Sequence, residues 1–228
     1  MQLKILSWNI WYDGNFIEIS KFLAEFDADI IGLQEVVPDD PTRDIIGFLK
    51  KLGYQYAIAP ILTIKKNGGT MSNAIFSKYP IVSHEAYVLS KTSVRKALRA
   101  DIKVEEKILH VFTTHLLHTH QQSSEIQELQ AENLIKVLPK ERTIVMGDFN
   151  ATPESNTIKK MSGVLENTDL SLIPTWSVYP EGCPICNPEK INIRLDYIFT
   201  SKDIKINSPM VHQSKGSDHL PISVIIEI

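Results

Sequence analysis

Apolar residues come along this chain in short runs, and several of the runs end on a polar side chain able to do chemistry. Residues 3–9 and 30–35 are the first two, ending on Ser7-Trp8-Asn9 and Leu33-Gln34-Glu35. Residues 108–114 lead into Thr114-His115-Leu116, and residues 143–146 into Gly147-Asp148-Phe149-Asn150. Short apolar runs bounded by turn formers predict strands. Further strands are expected at 54–59, 73–77, 81–89, 97–104, 195–200, 204–208 and 222–226. Helical spacing marks 16–26, 42–52 and 123–138, the last with Ile126, Leu129, Asn133, Leu134 and Val137 close to one face. Pro153-Glu154 looks like one more helix start. Consecutive strands with short turns in the middle of the chain, flanked by strand-helix-strand units, predict mixed sheets rather than a purely parallel one.

Strand ends gather at one rim when sheets pack, so polar residues far apart in sequence can meet there. The ends here carry a consistent chemistry. Asp148 and Asn150 sit two apart in a strand-to-loop turn, and the chain later reaches Ser217-Asp218-His219. Two carboxylates, an amide and an imidazole are what a metal site that cuts phosphate esters needs. Glu35 is a hard oxygen ligand suited to Mg2+ or Mn2+, which keep several waters and take few protein ligands. Asn9 can offer a carbonyl oxygen to a metal or an amide donor to a phosphate oxygen. Taken singly, each has a plainer account: a surface glutamate closing a strand, a turn asparagine, an Asp-x-Asn turn before a helix.

The ordered set Trp8-Asn9, Leu33-Gln34-Glu35, Thr114-His115-Leu116, Gly147-Asp148-Phe149-Asn150, Leu195-Asp196-Tyr197-Ile198 and Ser217-Asp218-His219 resembles the endonuclease/exonuclease/phosphatase superfamily. These DNase I-like metal-dependent hydrolases include deoxyribonucleases, apurinic endonucleases, neutral sphingomyelinases, inositol polyphosphate 5-phosphatases, tyrosyl-DNA phosphodiesterases and deadenylases. The likeness runs from residue 3 to residue 226. It implies an α/β (α+β) four-layered sandwich, two mixed β-sheets face to face with helices outside, forming a single domain over residues 1–228. It further implies Glu35 as principal metal ligand, with Asn9 and Asp218 on the metal side, and Asp148 positioning and activating the attacking water beside Asn150. By the same likeness His219 faces the scissile phosphate, with Asp196 fixing its tautomer and stabilising its cation. His115 would donate to a phosphate oxygen or protonate the leaving group. Asn73, in Ser72-Asn73-Ala74, and Arg95, in Arg95-Lys96-Ala97, resemble family segments bordering the site and are candidates to hold a phosphate. His118 and His120 fall under no family motif and are expected to be exposed loop histidines.

Composition narrows the setting. At 228 residues and 43% hydrophobic content the chain can bury a full core. It opens directly into a strand without a signal-like segment, and no apolar stretch approaches the ~18 residues that span a bilayer. A cytoplasmic monomer is the expectation. Cys183 and Cys186 form a Cys-x-x-Cys in a Pro-rich segment; no His or Cys pair at zinc spacing follows them, so two loop thiols in a reducing compartment are expected.

Substrate class is less legible. A net charge of −3 gives no global basic field for nucleic acid, Lys65-Lys66 is the only short basic cluster near an expected loop, and the Thr-Lys that follows this glutamate in apurinic endonucleases is missing. A phosphodiesterase or nuclease acting on nucleic acid is the first expectation. A hydrolase of small phosphate esters or phospholipid head groups is the second. A catalytically silent module of the same fold is a third, opposed by the intact set of Glu35, Asp148, Asn150, Asp196, Asp218 and His219.

Overall fold

Runs apolar on both faces need cover on both faces, and the computed structural model supplies it with a second sheet on one side and helices on the other. It describes residues 1–63, 69–179, 185–186 and 191–228; Lys65, Lys66 and Cys183 lie outside these. One six-stranded sheet has the order β11 (Lys205–Val211), β12 (Ile222–Glu227), β1 (Gln2–Asn9), β2 (Ile30–Val36), β4 (Thr70–Ser77), β3 (Gln55–Thr63). The other has the order β5 (Ile81–Ser90), β6 (Arg95–Val104), β7 (Lys107–His115), β8 (Thr143–Asp148), β10 (Asp196–Thr200), β9 (Glu166–Asn167). The β1–β2 and β7–β8 pairs are parallel and the remaining pairs antiparallel, so both sheets are mixed, as the sequence predicts.

Between the sheets, Ile5, Ile30 and Ile75 meet Leu98, Val111, Met146 and Ile198. Outside the first sheet, α1 (Phe16–Phe26) and α2 (Ile45–Lys51) lay Ile19, Leu23 and Leu49 over Leu6, Trp8, Leu33 and Phe76. Outside the second, α3 (Glu125–Lys136) and α4 (Asn156–Ser162) cover Phe112, Val145, Phe149 and Tyr197. The result is the four-layered α/β/β/α sandwich with its helices outside. Each fully buried large apolar side chain, Trp8 among them, contributes about 1.5–3 kcal/mol.

Helix starts follow local capping. The Asn15 side chain accepts from the N–H groups of Ile17 and Glu18, and Asp44, Ser124 and Ser155 cap the other helices in the same way. The helix expected from residue 42 therefore begins at Ile45, and the one expected near Pro153 begins at Asn156.

The expected face of α3 is corrected. Ile126 and Leu129 are exposed, while Gln127, Gln130, Ala131 and Leu134 are buried. Hydrogen bonding rather than area decides this orientation. Gln127 Nε2 donates to the carbonyls of Leu117 and Asn150 at 2.8 and 2.9 Å, and Gln130 Oε1 accepts from the N–H of Leu117 at 2.9 Å. Two buried amides thus tie down the loops that leave β7 and β8, backbone that would otherwise be buried without partners.

Candidate active site

Strand register assembles the site. The parallel β7–β8 pair sets His115 against Asp148, and the antiparallel β8–β10 pair sets Asp196 against the same Asp148. In the facing sheet the parallel β1–β2 pair sets Asn9 against Gln34. Directly after it the register of β2 shifts between Leu33 and Val36, and Glu35 takes a left-handed φ of 62°. Such an irregularity re-aims a side chain, here the Glu35 carboxylate, toward the cleft. Gln34 Nε2 donates to Thr113 Oγ1 at 2.8 Å, joining the two sheets just beneath the rim.

Gly147 is a requirement of this close approach. Its φ is 143°, and a Cβ there would lie 2.0 Å from the carbonyl oxygen of Thr114. Gly147→Ala is expected to cost at least about 1–3 kcal/mol through backbone conformation alone, a midpoint drop of roughly 2–4 °C per kcal/mol in a thermal melt. A melt unchanged from wild type would refute the steric argument.

Two amide donors and two imidazoles converge on Asp148, which is 1% exposed. Its Oδ2 lies 3.1 Å from Asn9 Nδ2, 3.3 Å from Asn150 Nδ2, 3.4 Å from His115 Nε2 and 3.7 Å from His219 Nε2. Its Oδ1 accepts the backbone N–H of Asn150 at 2.8 Å, the Asx-turn that an Asp-x-Asn sequence favours. His219 Nδ1 is 2.9 Å from Asp196 Oδ2. Burial works against charging the His219 imidazole, but Asp196, Asp148 and Asp218 together hold its pKa well above the ordinary value. Burial pushes Asp148 upward, an effect that the His219 cation opposes. His115 is pushed the other way: burial, then the charges of Arg95 and His219, lower it well below its ordinary value. A neutral imidazole suits the role of hydrogen-bond donor rather than that of acid toward a leaving group.

The loop before β12 is anchored by its neighbours. Ser217 Oγ donates to the Asn9 carbonyl at 2.7 Å, Trp8 Nε1 donates to the His219 carbonyl at 2.9 Å, and Trp176 Nε1 donates to Asp218 Oδ2 at 3.2 Å. Glu35 accepts from Asn9 Nδ2 and from the N–H of Tyr12, and the loop carrying Tyr12 is held by the Arg43 guanidinium on the carbonyls of Trp11 and Tyr12. Burial and the charge of Asp218 raise the pKa of Glu35. A divalent cation between such carboxylates would remove that penalty, and a set of hard oxygens suits Mg2+ or Mn2+. The pair therefore fits a metal.

A cleft of about 280 Å³ opens over this cluster, lined by Tyr12, Glu35, Arg95, His115, Asp148, Asn150, Trp176, Asp218 and His219 among others. Several expectations change here. Asn9 Oδ1 accepts the Trp11 N–H at 3.0 Å, which turns its amide nitrogen toward Glu35 and Asp148; the carbonyl-to-metal role is not the one this arrangement offers. Arg95 is not a solvated charge: it is 8% exposed, lines the cleft, and its NH1 group has no protein partner. Asn73 is buried away from the lining and donates to the carbonyl of Lys96, so it steadies the strand that carries Arg95. His118 and His120 are half-buried in the cleft wall rather than exposed, and His118 Nδ1 is 2.6 Å from Asn150 Oδ1. Gln127, Gln130, Arg43, Tyr12 and Trp176 carry no signal in the sequence, because each acts through a partner ten or more residues away.

The fold and this cluster define a phosphoester hydrolase of the DNase I-like type. Residues 6–219 match the Endonuclease/Exonuclease/phosphatase family, and the chain belongs to it. Its enzymes are phosphoester hydrolases that depend on divalent metal, and here Asp148, Asp196 and His219 bring ligand atoms within 4.8 Å of one another. Among solved structures, an endonuclease/exonuclease/phosphatase protein from Bacteroides vulgatus superposes with a TM-score of 0.79 at 19% identity, over 100% of this chain and 99% of that one. The human Nocturnin catalytic domain with bound sulfate gives 0.72 at 21% identity, covering 99% and 94%. A mannosyl-6-phosphatase from Bacteroides thetaiotaomicron gives 0.74 at 19% identity, covering 99% and 100%. No curated protein matches the sequence. No helix among the described residues is long and apolar enough to cross a membrane.

Proposed function

We propose that the protein hydrolyses compact phosphate esters by in-line attack of a water activated by Asp148, with Mg2+ or Mn2+ held by Glu35 and Asp218. The observation that carries this is the convergence of Asn9, Asn150, His115 and His219 on one oxygen of Asp148, in a cleft that the largely buried Arg95 helps to line. A phosphoryl group needs donors of this kind, and a buried guanidinium is suited to its oxygens. The bound cation supplies charge neutralisation at the phosphoryl oxygens. Asp148 takes the proton of the attacking water, and the Asn150 and Asn9 amides hold the Asp148 carboxylate in position for it. His219, cationic against Asp196, stabilises the charge that develops on the phosphoryl oxygens. His115 donates a hydrogen bond. Asp148, Asp196 and His219 would suit a metal by donor type, but an imidazole held as a cation between two carboxylates already supplies the positive charge there.

Arg95 is the one cation other than histidine that lines the cleft among the described residues, and the net charge is −3. Both favour a single phosphate group on a small ester, the reading that stood second on sequence alone. The relative named mannosyl-6-phosphatase is consistent with it. A phosphodiester in nucleic acid is the other reading, favoured by an aromatic surface beside the cleft: Trp11 and Tyr179, ring centroids 5.9 Å apart, next to Tyr12.

The test is hydrolysis by purified protein with Mg2+, Mn2+ or chelator, on sugar phosphates, bis-p-nitrophenyl phosphate and end-labelled DNA and RNA. Chelator-sensitive turnover greatest on sugar phosphates is expected; preference for an oligonucleotide selects the second reading. Glu35→Gln should raise the metal concentration needed for half-maximal rate at least tenfold, and an unchanged metal titration removes Glu35 from the metal.

A further inference from the structure

We propose a second metal site, for Zn2+ or a similar borderline-soft ion, formed by Cys186 with His118 and His120, two histidines on the wall of the same cleft. His118 Nε2 and His120 Nδ1 are 3.0 Å apart, His120 Nδ1 and Cys186 Sγ 3.2 Å, and Cys186 Sγ and His118 Nε2 3.5 Å. With Zn–N about 2.0–2.1 Å and Zn–S about 2.3 Å, a tetrahedral ion spaces nitrogen corners by roughly 3.3 Å and nitrogen–sulfur corners by roughly 3.5 Å. The triangle therefore needs adjustments of only a few tenths of an ångström. A thiolate with two imidazoles selects zinc-like ions over Mg2+, whereas the carboxylates of Glu35 and Asp218 select the reverse.

The tautomer of His118 is set for ligation. Asn150 Nδ2 donates to the Leu116 carbonyl at 3.1 Å and to Asp148, which leaves its Oδ1 as the acceptor facing His118 Nδ1 at 2.6 Å. His118 Nδ1 therefore carries the proton, and the bare Nε2 lone pair points at His120 and Cys186. Metal-binding histidines are oriented by this kind of outer hydrogen bond. The sequence argued against zinc because no histidine pair follows the cysteines; the pair precedes them, and the fold closes a separation of 66 residues between His120 and Cys186. Cys183, at Cys-x-x-Cys spacing, lies outside the described residues and is not one of the three donors. An ion here would fix His118 and through it Asn150, whose amide is bonded to Asp148. That coupling to turnover rests on the role proposed for Asn150; binding of the ion does not.

The test uses the full-length protein stripped with chelator and then titrated with Zn2+ or Co2+ in excess Mg2+. One Zn2+ per chain should bind in competition with a chromophoric chelator, and Co2+ should give a thiolate-to-cobalt charge-transfer band with tetrahedral d–d intensity. At a hundredfold excess over Kd, Zn2+ should raise the thermal midpoint by about 5 °C or more. His120→Ala and Cys186→Ser should each weaken Zn2+ binding at least tenfold. Absence of the cobalt band from the wild-type protein, or variants that bind Zn2+ as well as wild type, overturns the site. These readouts need no turnover, so failure of the phosphoesterase reading is separate: Zn2+ bound as described, with no ester cleaved.

Discussion

Asp148→Asn should lower kcat by about 10²–10⁴-fold, the range contributed by a positioned general base. Asparagine fills nearly the same volume and can still accept the Asn150 N–H through its Oδ1, so the turn survives. At the other atom an NH2 group replaces the acceptor on which Asn9, Asn150, His115 and His219 converge. That position can no longer take a proton from water. The new donor-against-donor contacts cost stability, but removing a carboxylate whose burial is unfavourable offsets part of it. We therefore expect the thermal midpoint to stay within about 4 °C of wild type, a difference of roughly 1–2 kcal/mol. Turnover within threefold of wild type would remove Asp148 from the chemistry. A collapse of the melt would instead assign it to the fold.

Asp196→Asn should be nearly as severe, about 10²–10³-fold, and should leave a different signature. Asp196 is 1% exposed, holds His219 Nδ1 at 2.9 Å, and is the foremost of the carboxylates that raise the pKa of that imidazole. In the wild-type protein the His219 cation persists well above the ordinary histidine value of 6.5, because protonation is lost only as pH rises through the elevated pKa. Without the Asp196 charge, the foremost opposition to burial of the ring is gone and the pKa falls. The basic limb of the kcat/KM profile should then move to lower pH, and residual activity should recover on acidification. Ring proton shifts of His219, followed by NMR in metal-free protein, should report the same displacement. Loss of rate with an unmoved basic limb would make Asp196 a structural support only.

Local pattern was enough for the strands, since a run buried on both faces is apolar at successive positions whatever it packs against. β1, β7 and β8 start and stop within a few residues of the apolar runs that predict them. Local pattern failed on α3, where Gln127 and Gln130 face inward. Periodicity ranks faces by apolar content and has no knowledge of the carbonyls that await the helix.

The motifs likewise marked Glu35, Asp148, Asp196, Asp218 and His219 and placed the chain in its family, because short polar signatures at strand ends survive in the linear order. Tertiary structure alone decided the rest. Pairing register set His115 and Asp196 on either side of Asp148, and an irregularity in β2 aimed Glu35. A backbone N–H turned the Asn9 amide, burial put Arg95 in the cleft, and loop closure brought His118 and His120 to Cys186. Except at Asn9, whose partner is two residues away, the deciding partner is distant in the chain, and contacts made by sheet packing leave no periodic trace in the residues that make them.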